Sequence, residues 1–248
     1  MKILAVVNQK GGTAKTTASV NLAAAMARRG KRVLLVDLDP QASLTEYFYP
    51  GQDFNPMIYH ALIEGAEIEP TKLGELIELI PATIDLAAAE IQLPAKRNQE
   101  TTLKRFLRKY ADRDLIIIDC PPSLGVLTTN ALTAANMVLV PVITELMAQR
   151  TVKLIVNTVK DVQETELNTE LKIWRILATR YDKRLLHHQE VLQVMRNSYN
   201  GQLYPEPLLE RARYKDAVSA KADVSELDPE QGEYWDRLAE VFAAENEI

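Results

Sequence analysis

Cysteine is almost missing from this sequence: Cys120 is the only one in 248 residues. A disulfide within the chain and a multi-cysteine metal or cluster site are both excluded. Positive charge is not in excess either, since the formal net charge is -5. Affinity for nucleic acid therefore cannot come from total charge and would need a local basic patch. No apolar run approaches the roughly 20 residues a helix needs to cross a bilayer. No signal peptide precedes the first strand-like run, Ile3 to Val7, so a cytoplasmic location is the expectation. No internal repeat is visible. What remains is an ordinary composition, 47% hydrophobic and 25% charged. That suits one α/β domain over residues 1–248 with a sizeable core.

The apolar runs set out the element order. "KILAVVN" is short and rich in branched residues, like a strand buried on both faces. Thr16 to Arg29 is alanine-rich and periodic, a helix that Gly30 closes. "RVLLVDLD" is a second buried strand. "ELIELIPAT" is another, followed by a turn at "DLAAAE". Thr101 to Tyr110 is a basic amphipathic helix. "DLIIIDCPP", "MVLVPV" and "LKIWRILATRYD" are further strands. Helices fit 146–162, 189–199, 209–221 and 229–245. This alternation predicts a doubly wound, mainly parallel sheet with helices on both faces. Sites in such sheets form at the carboxyl ends of the strands. Asn8 to Lys15, Asp37 to Asp39, Asp119 and Thr179 to Asp182 all fall at such ends.

"NQKGGTAKTTASVNLA" joins the first strand to the first helix. Small residues there leave backbone N–H groups free to face phosphate, and the helix dipole adds to the attraction. Gly11, Gly12, Thr13 and Ala14 supply the loop. Lys15 is placed to neutralise β- and γ-phosphates, and the Thr16 hydroxyl to bind Mg²⁺. Thr17 follows on the same helix start. Asp119 ends an apolar strand, where a magnesium-linked carboxylate belongs. Asp37 and Asp39 share one face of a strand end. One of them would serve the metal shell and the other position water. The loop also carries a second lysine, Lys10, which a single phosphate site does not require.

"QKGGTAKTT" resembles the deviant Walker A pattern of ParA/MinD-type ATPases. "RVLLVDLDPQAS", "LIPATIDLAAAEI" and "LIIIDCPPSLGVLTTNAL" are similar to later blocks of the ParA branch. The resemblance runs from Met1 to about Tyr214 and implies a P-loop fold. It also implies a weak Mg²⁺-dependent ATPase whose two subunits sandwich ATP. Lys10 is then the lysine that reaches the partner's ATP, and Lys15 the one that serves its own. Thr16 binds Mg²⁺, Asp39 orients the attacking water while lying by the metal, and Asp119 supports the metal through water. The chain departs from the family at Ala14, where many relatives have glycine. "PLLERARYKDAVSAK" and "TELMAQR" are also only loosely similar. Adenine contacts are assigned to Thr179, Arg180 and Pro207.

Other absences separate the branches. One cysteine cannot hold the cluster of an iron–sulfur relative. The C-terminal helix carries Trp235, Leu238, Ala239 and Phe242 at helical spacing, but its polar face is acidic. It is expected to pack on the domain rather than bind anionic lipid. No N-terminal helix-turn-helix is expected ahead of the first strand. From Lys172 to Lys221, about ten basic residues stand against about five acids. Arg184 and Arg213 match positions that are basic in DNA-binding relatives. The resemblance thus implies an ATP-bound homodimer on non-specific double-stranded DNA, associated with the nucleoid. A ParB-like adaptor would stimulate hydrolysis, and the cargo would be a plasmid, a chromosome or a protein body such as a carboxysome. The alternative is a MinD-like membrane-associated regulator of division-site placement. No stable membrane association is expected.

Overall fold

The computed structural model describes residues 1–248. Seven strands make one sheet. They are β1 (Lys2–Val6), β2 (Val33–Asp37), β3 (Thr71–Lys72), β4 (Ile77–Ile80), β5 (Leu115–Asp119), β6 (Met137–Ile143) and β7 (Lys172–Thr179). Their order across the sheet is β3-β4-β2-β5-β1-β6-β7, and every pairing is parallel except β3 with β4. β1, β2, β5 and β6 are buried at nearly every position because helices cover both faces. Side chains alternate across the pleat. Thus Ile3, Ala5 and Val7 join a 43-residue core on one face, and Leu4 and Val6 a 28-residue core on the other.

The smaller core lies under α1 (Lys15–Arg28) and α10 (Pro229–Asn246), with α2 (Ser43–Phe48) and α9 (Arg213–Ala220) at its margin. Trp235, Leu238, Ala239 and Phe242 of α10 are all fully buried there. Burying Leu238 and Phe242 stabilises by about 1.5–3 kcal/mol each, so the apolar stripe of α10 is spent on the core. α3 (Ile58–Ile63), α4 (Leu86–Gln92), α5 (Thr102–Leu107), α6 (Val126–Ala134), α7 (Ala148–Glu164) and α8 (Leu186–Ser198) complete the helices. No helix is long and apolar enough to cross a membrane.

Three expectations change. "DLAAAE" is not a turn but lies mostly in α4. The basic helix at 101–110 is broken into a 3₁₀ turn, the six-residue α5 and another 3₁₀ turn. Residues 209–212 are not helical. Residues 203–210 instead run along the outer edge of β7, with bridges Ile176–Leu203 and Tyr181–Leu209. The hydrogen bonds that hold it there include Tyr204 N to Ile176 O and Leu208 N to Ala178 O, both under 3 Å. Pro205 and Pro207 lack N–H donors and cannot sustain a helix, so the segment pairs as an edge until α9 starts at Arg213.

Candidate functional site

β1, β2 and β5 end side by side. Val6 and Asp37 are both in register with Asp119. The loop after β1 turns through Gly12 (φ +70°) and Ala14 (φ +70°) into α1. Asn8, fully buried, organises that loop: its side-chain amide donates to Pro141 O and its oxygen accepts from Lys10 N at 2.8 Å. Thr179 lies beneath it, donating from Oγ1 to Thr13 O at 3.2 Å. The loop borders a cavity of about 510 Å³ lined by residues 11–17, Asp39, Gln41, Ser43, Pro122, Arg180, Leu208–Arg211, Tyr214 and Lys215.

Asp119 sits at the base, 1% exposed. Its carboxylate accepts from Thr16 Oγ1 at 2.6 Å and from Ser19 Oγ at 3.1 Å. Burial is the largest influence and pushes Asp119 up to about 6. The Thr16 bond, the Lys15 charge and the Ser19 bond oppose that shift. A carboxylate so buried, next to a hydroxyl at a helix start, is the oxygen donor set that Mg²⁺ prefers. No three acidic, histidine or cysteine side chains converge on a point. A divalent cation here would therefore share its shell with phosphate oxygens and water rather than sit in a protein cage. Lys15 is 8% exposed and lines the same cavity.

The two acids at the end of β2 separate. Asp37 is fully buried and its oxygens are taken by Asp39 N, Thr45 N and Thr45 Oγ1 at 2.8–3.1 Å. Burial, and then the charge of Asp119, pushes it up to about 7. It braces the 38–45 loop. Asp39 lies beyond the strand, accepts from Gln41 N at 2.9 Å and lines the cavity.

Lys10 does not line the cavity that Lys15 lines. Its ammonium pairs with Glu145 Oε2 at 2.6 Å, with both side chains about half exposed. Among the residues assigned to the base, Arg180 lines the cavity and pairs with Glu210 at 2.7 Å. Thr179 is fully buried under the loop and Pro207 is not in the lining. Leu208 to Arg211 and Tyr214 line the cavity instead, where the 203–210 edge and the start of α9 reach the strand ends. Arg184 and Arg213 lie outside the cavity, paired with Asp182 and Asp216. Ser19 was not singled out in the sequence. Its signal was its spacing, three residues after Thr16 and so on the same helix face.

Residues 1–173 match the protein family described as AAA domain. The chain is 40% identical over 247 residues to the sporulation initiation inhibitor protein Soj of Bacillus subtilis (strain 168), covering 97% of this chain and 95% of that protein. It is 38% identical over 232 residues to the chromosome-partitioning ATPase Soj of Treponema pallidum (strain Nichols), covering 92% and 90%. Among solved structures, the cobyrinic acid a,c-diamide synthase from Mycobacterium smegmatis with bound ATP analog and magnesium is 40% identical. It superposes with a TM-score of 0.79, covering 89% of this chain and 93% of that one.

Proposed function

The chain belongs to the ParA family of partition ATPases, and from that premise we propose an ATP-dependent dimerising switch that positions or segregates cargo on DNA. Residues 1–248 act as one ATPase domain. Backbone N–H groups of Gly11 to Ala14 and the start of α1 at Lys15 to Thr17 cradle the phosphates, where the helix dipole favours anions. Lys15 neutralises them from within the same subunit. Thr16, with Asp119 behind it, holds Mg²⁺, which neutralises charge on the transferring phosphoryl group. Asp39, at the cavity wall, orients water. Phosphoryl transfer needs chiefly this positioning and charge stabilisation. The M. smegmatis relative, solved with an ATP analog and magnesium, supports the same ligands here.

The observation that carries the dimer is the position of Lys10. It stands outside its own cavity, held by an exposed acid, whereas Lys15 stands inside. An exposed pair of this kind is worth about 0–1 kcal/mol, so Lys10 is easily released to a stronger anion. ATP in a facing subunit is such an anion. Nucleotide then joins two subunits, and hydrolysis releases them. The dimer binds double-stranded DNA through Arg184 and Arg213 without reading bases, which places it on the nucleoid. A ParB-like adaptor on a plasmid, chromosome or protein body stimulates an otherwise weak hydrolysis. The membrane alternative has less support, since the apolar side chains of α10 are buried in the core.

Light scattering with Mg·ATP tests the switch. Lys10→Ala should bind nucleotide yet stay monomeric. Asp39→Ala should dimerise and hydrolyse little. A Lys10→Ala protein that dimerises like the parent removes the bridging role.

A further inference from the structure

The phosphate loop closes on the carboxyl ends of the strands. A second cavity, of about 310 Å³, opens at their amino ends. Lys2 starts β1, Asn136 immediately precedes β6 and Lys172 starts β7, and these three strands are neighbours in the sheet. Lys104 joins the lining from α5, and Asn246 from the last residue of α10. The two helices pack on opposite faces of the sheet, so the cavity straddles its end. Three lysines thus converge against one acid of the lining, Glu170. No ion pair engages any of the four. Like charges gathered without partners repel, and an anion among them relieves the repulsion. Asn136 adds a neutral donor. Its Oδ1 accepts from Ile3 N at 2.7 Å, whereas its Nδ2 makes no hydrogen bond within the chain.

We propose that this cavity is a second anion site, at the opposite end of the sheet from the nucleotide site, for a small phosphorylated anion of the class of pyrophosphate and phosphate monoesters. Lysine suits phosphate as a compact charge on a flexible stem. Three lysines against one glutamate leave two positive charges, which match the doubly charged phosphate of a monoester. The volume falls near the lower bound of small-molecule pockets, about 300 Å³. A cavity of that size receives a phosphoryl group, whereas a duplex calls for cations set out as a stripe or face. Asn136 then donates from Nδ2 to a phosphate oxygen. These charges lie at the surface and are screened, so affinity falls as salt rises. No residue of the phosphate loop takes part.

Amide NMR on the full chain, titrated with pyrophosphate in Mg²⁺-free buffer, tests this, because it reads the two ends of the sheet separately. The signals of Asn136, Met137 and Lys172 should shift to saturation with one dissociation constant, whatever those of Gly11 and Gly12 do. Lys104→Gln combined with Lys172→Gln should weaken that binding about tenfold, the order of two surface charge contacts. The same double variant should leave Mg·ATP binding as in the parent, and its unshifted remaining signals report an intact fold. Lys104→Arg combined with Lys172→Arg keeps both charges and should retain the site. Acetate, with a single charge, should bind at least about tenfold more weakly than pyrophosphate. A parent whose Asn136 and Lys172 signals do not saturate overturns the site, as does saturation that the glutamine variant leaves unchanged. Acetate that binds as tightly as pyrophosphate overturns the phosphoryl class. A DNA duplex that displaces pyrophosphate from these signals makes the cavity part of a nucleic-acid surface and overturns the small-anion reading.

Discussion

Ala14 holds φ +70° and ψ +31° immediately before α1. A left-handed conformation costs an L-residue with a Cβ roughly 1–2 kcal/mol, and glycine there avoids that cost. Glycine also has more unfolded-chain entropy to lose, about 0.4–1 kcal/mol. Strain relief is the larger effect, so Ala14→Gly should stabilise the nucleotide-free protein by about 0.5–1 kcal/mol. Urea denaturation measures this, and a lower midpoint would refute it. The sequence marked Ala14 as a departure from related loops, but its backbone angles were legible only in the fold. The same holds for the two acids at the end of β2. Spacing put Asp37 and Asp39 on one face, and only the end of β2 at Asp37 separates a buried brace from a cavity residue. A second residue-scale consequence follows from Asp119, raised to about 6 by burial. A proton and Mg²⁺ compete for this carboxylate. Mg·ATP affinity should therefore hold from pH 8 to 7 and fall as pH drops through about 6. The fall approaches tenfold per unit well below that value. Nucleotide affinity without Mg²⁺ should change less over the same range. Equal slopes with and without the metal would disconnect Asp119 from it.

At the scale of elements, α10 is the clearest case. Its apolar spacing gave both the helix and its packing, because four large or small apolar residues at helical period leave one buried face. Gly232, in its first turn, was silent in the sequence. A Cβ there would lie 2.7 Å from Ser225 Cβ and 3.0 Å from Ser225 Cα. Helix propensity favours Gly232→Ala by about 1 kcal/mol, whereas overpacking costs about 1–3 kcal/mol. Part of the contact is backbone, which yields least, so the clash wins. Gly232→Ala should lower stability by about 1 kcal/mol, and a raised urea midpoint would show that the 224–226 turn yields freely. Elements with weak local signals were missed or misjudged. β3 has two residues and exists through its antiparallel pairing with β4. α2 and α3, of six residues each, are too short for a periodic stripe. The 203–210 edge is fixed by β7, a partner that local pattern does not contain.

The whole molecule decides what the basic stretch from Lys172 to Lys221 amounts to. The fold pairs Arg175 with Glu245, Arg180 with Glu210, Arg184 with Asp182, Arg211 with Glu230 and Arg213 with Asp216. Glu230 and Glu245 lie outside the stretch, so the sequence overstated its free charge. Arg184 and Arg213 nevertheless keep side chains 83% and 59% exposed. Exposed pairs hold by about 0–1 kcal/mol, and a duplex phosphate can displace Asp182 or Asp216. Each phosphate neutralised releases counterions, so DNA affinity should fall steeply with salt. A two-fold dimer presents each arginine twice, and one substitution deletes two contacts. Arg213→Ala should therefore reduce ATP-dependent binding to unrelated duplexes by at least tenfold while the dimer persists. Arg184→Ala should act in the same direction. Asp216→Ala supplies the opposite sign: it removes the carboxylate that competes for Arg213 and should raise affinity a few-fold at low salt. Fluorescence anisotropy on two duplexes at two salt levels, with light scattering for the dimer, reads all three. DNA binding that survives both arginine substitutions and ignores Asp216→Ala would place the DNA face elsewhere. A parent dimer that leaves DNA free yet binds anionic vesicles would favour the membrane alternative.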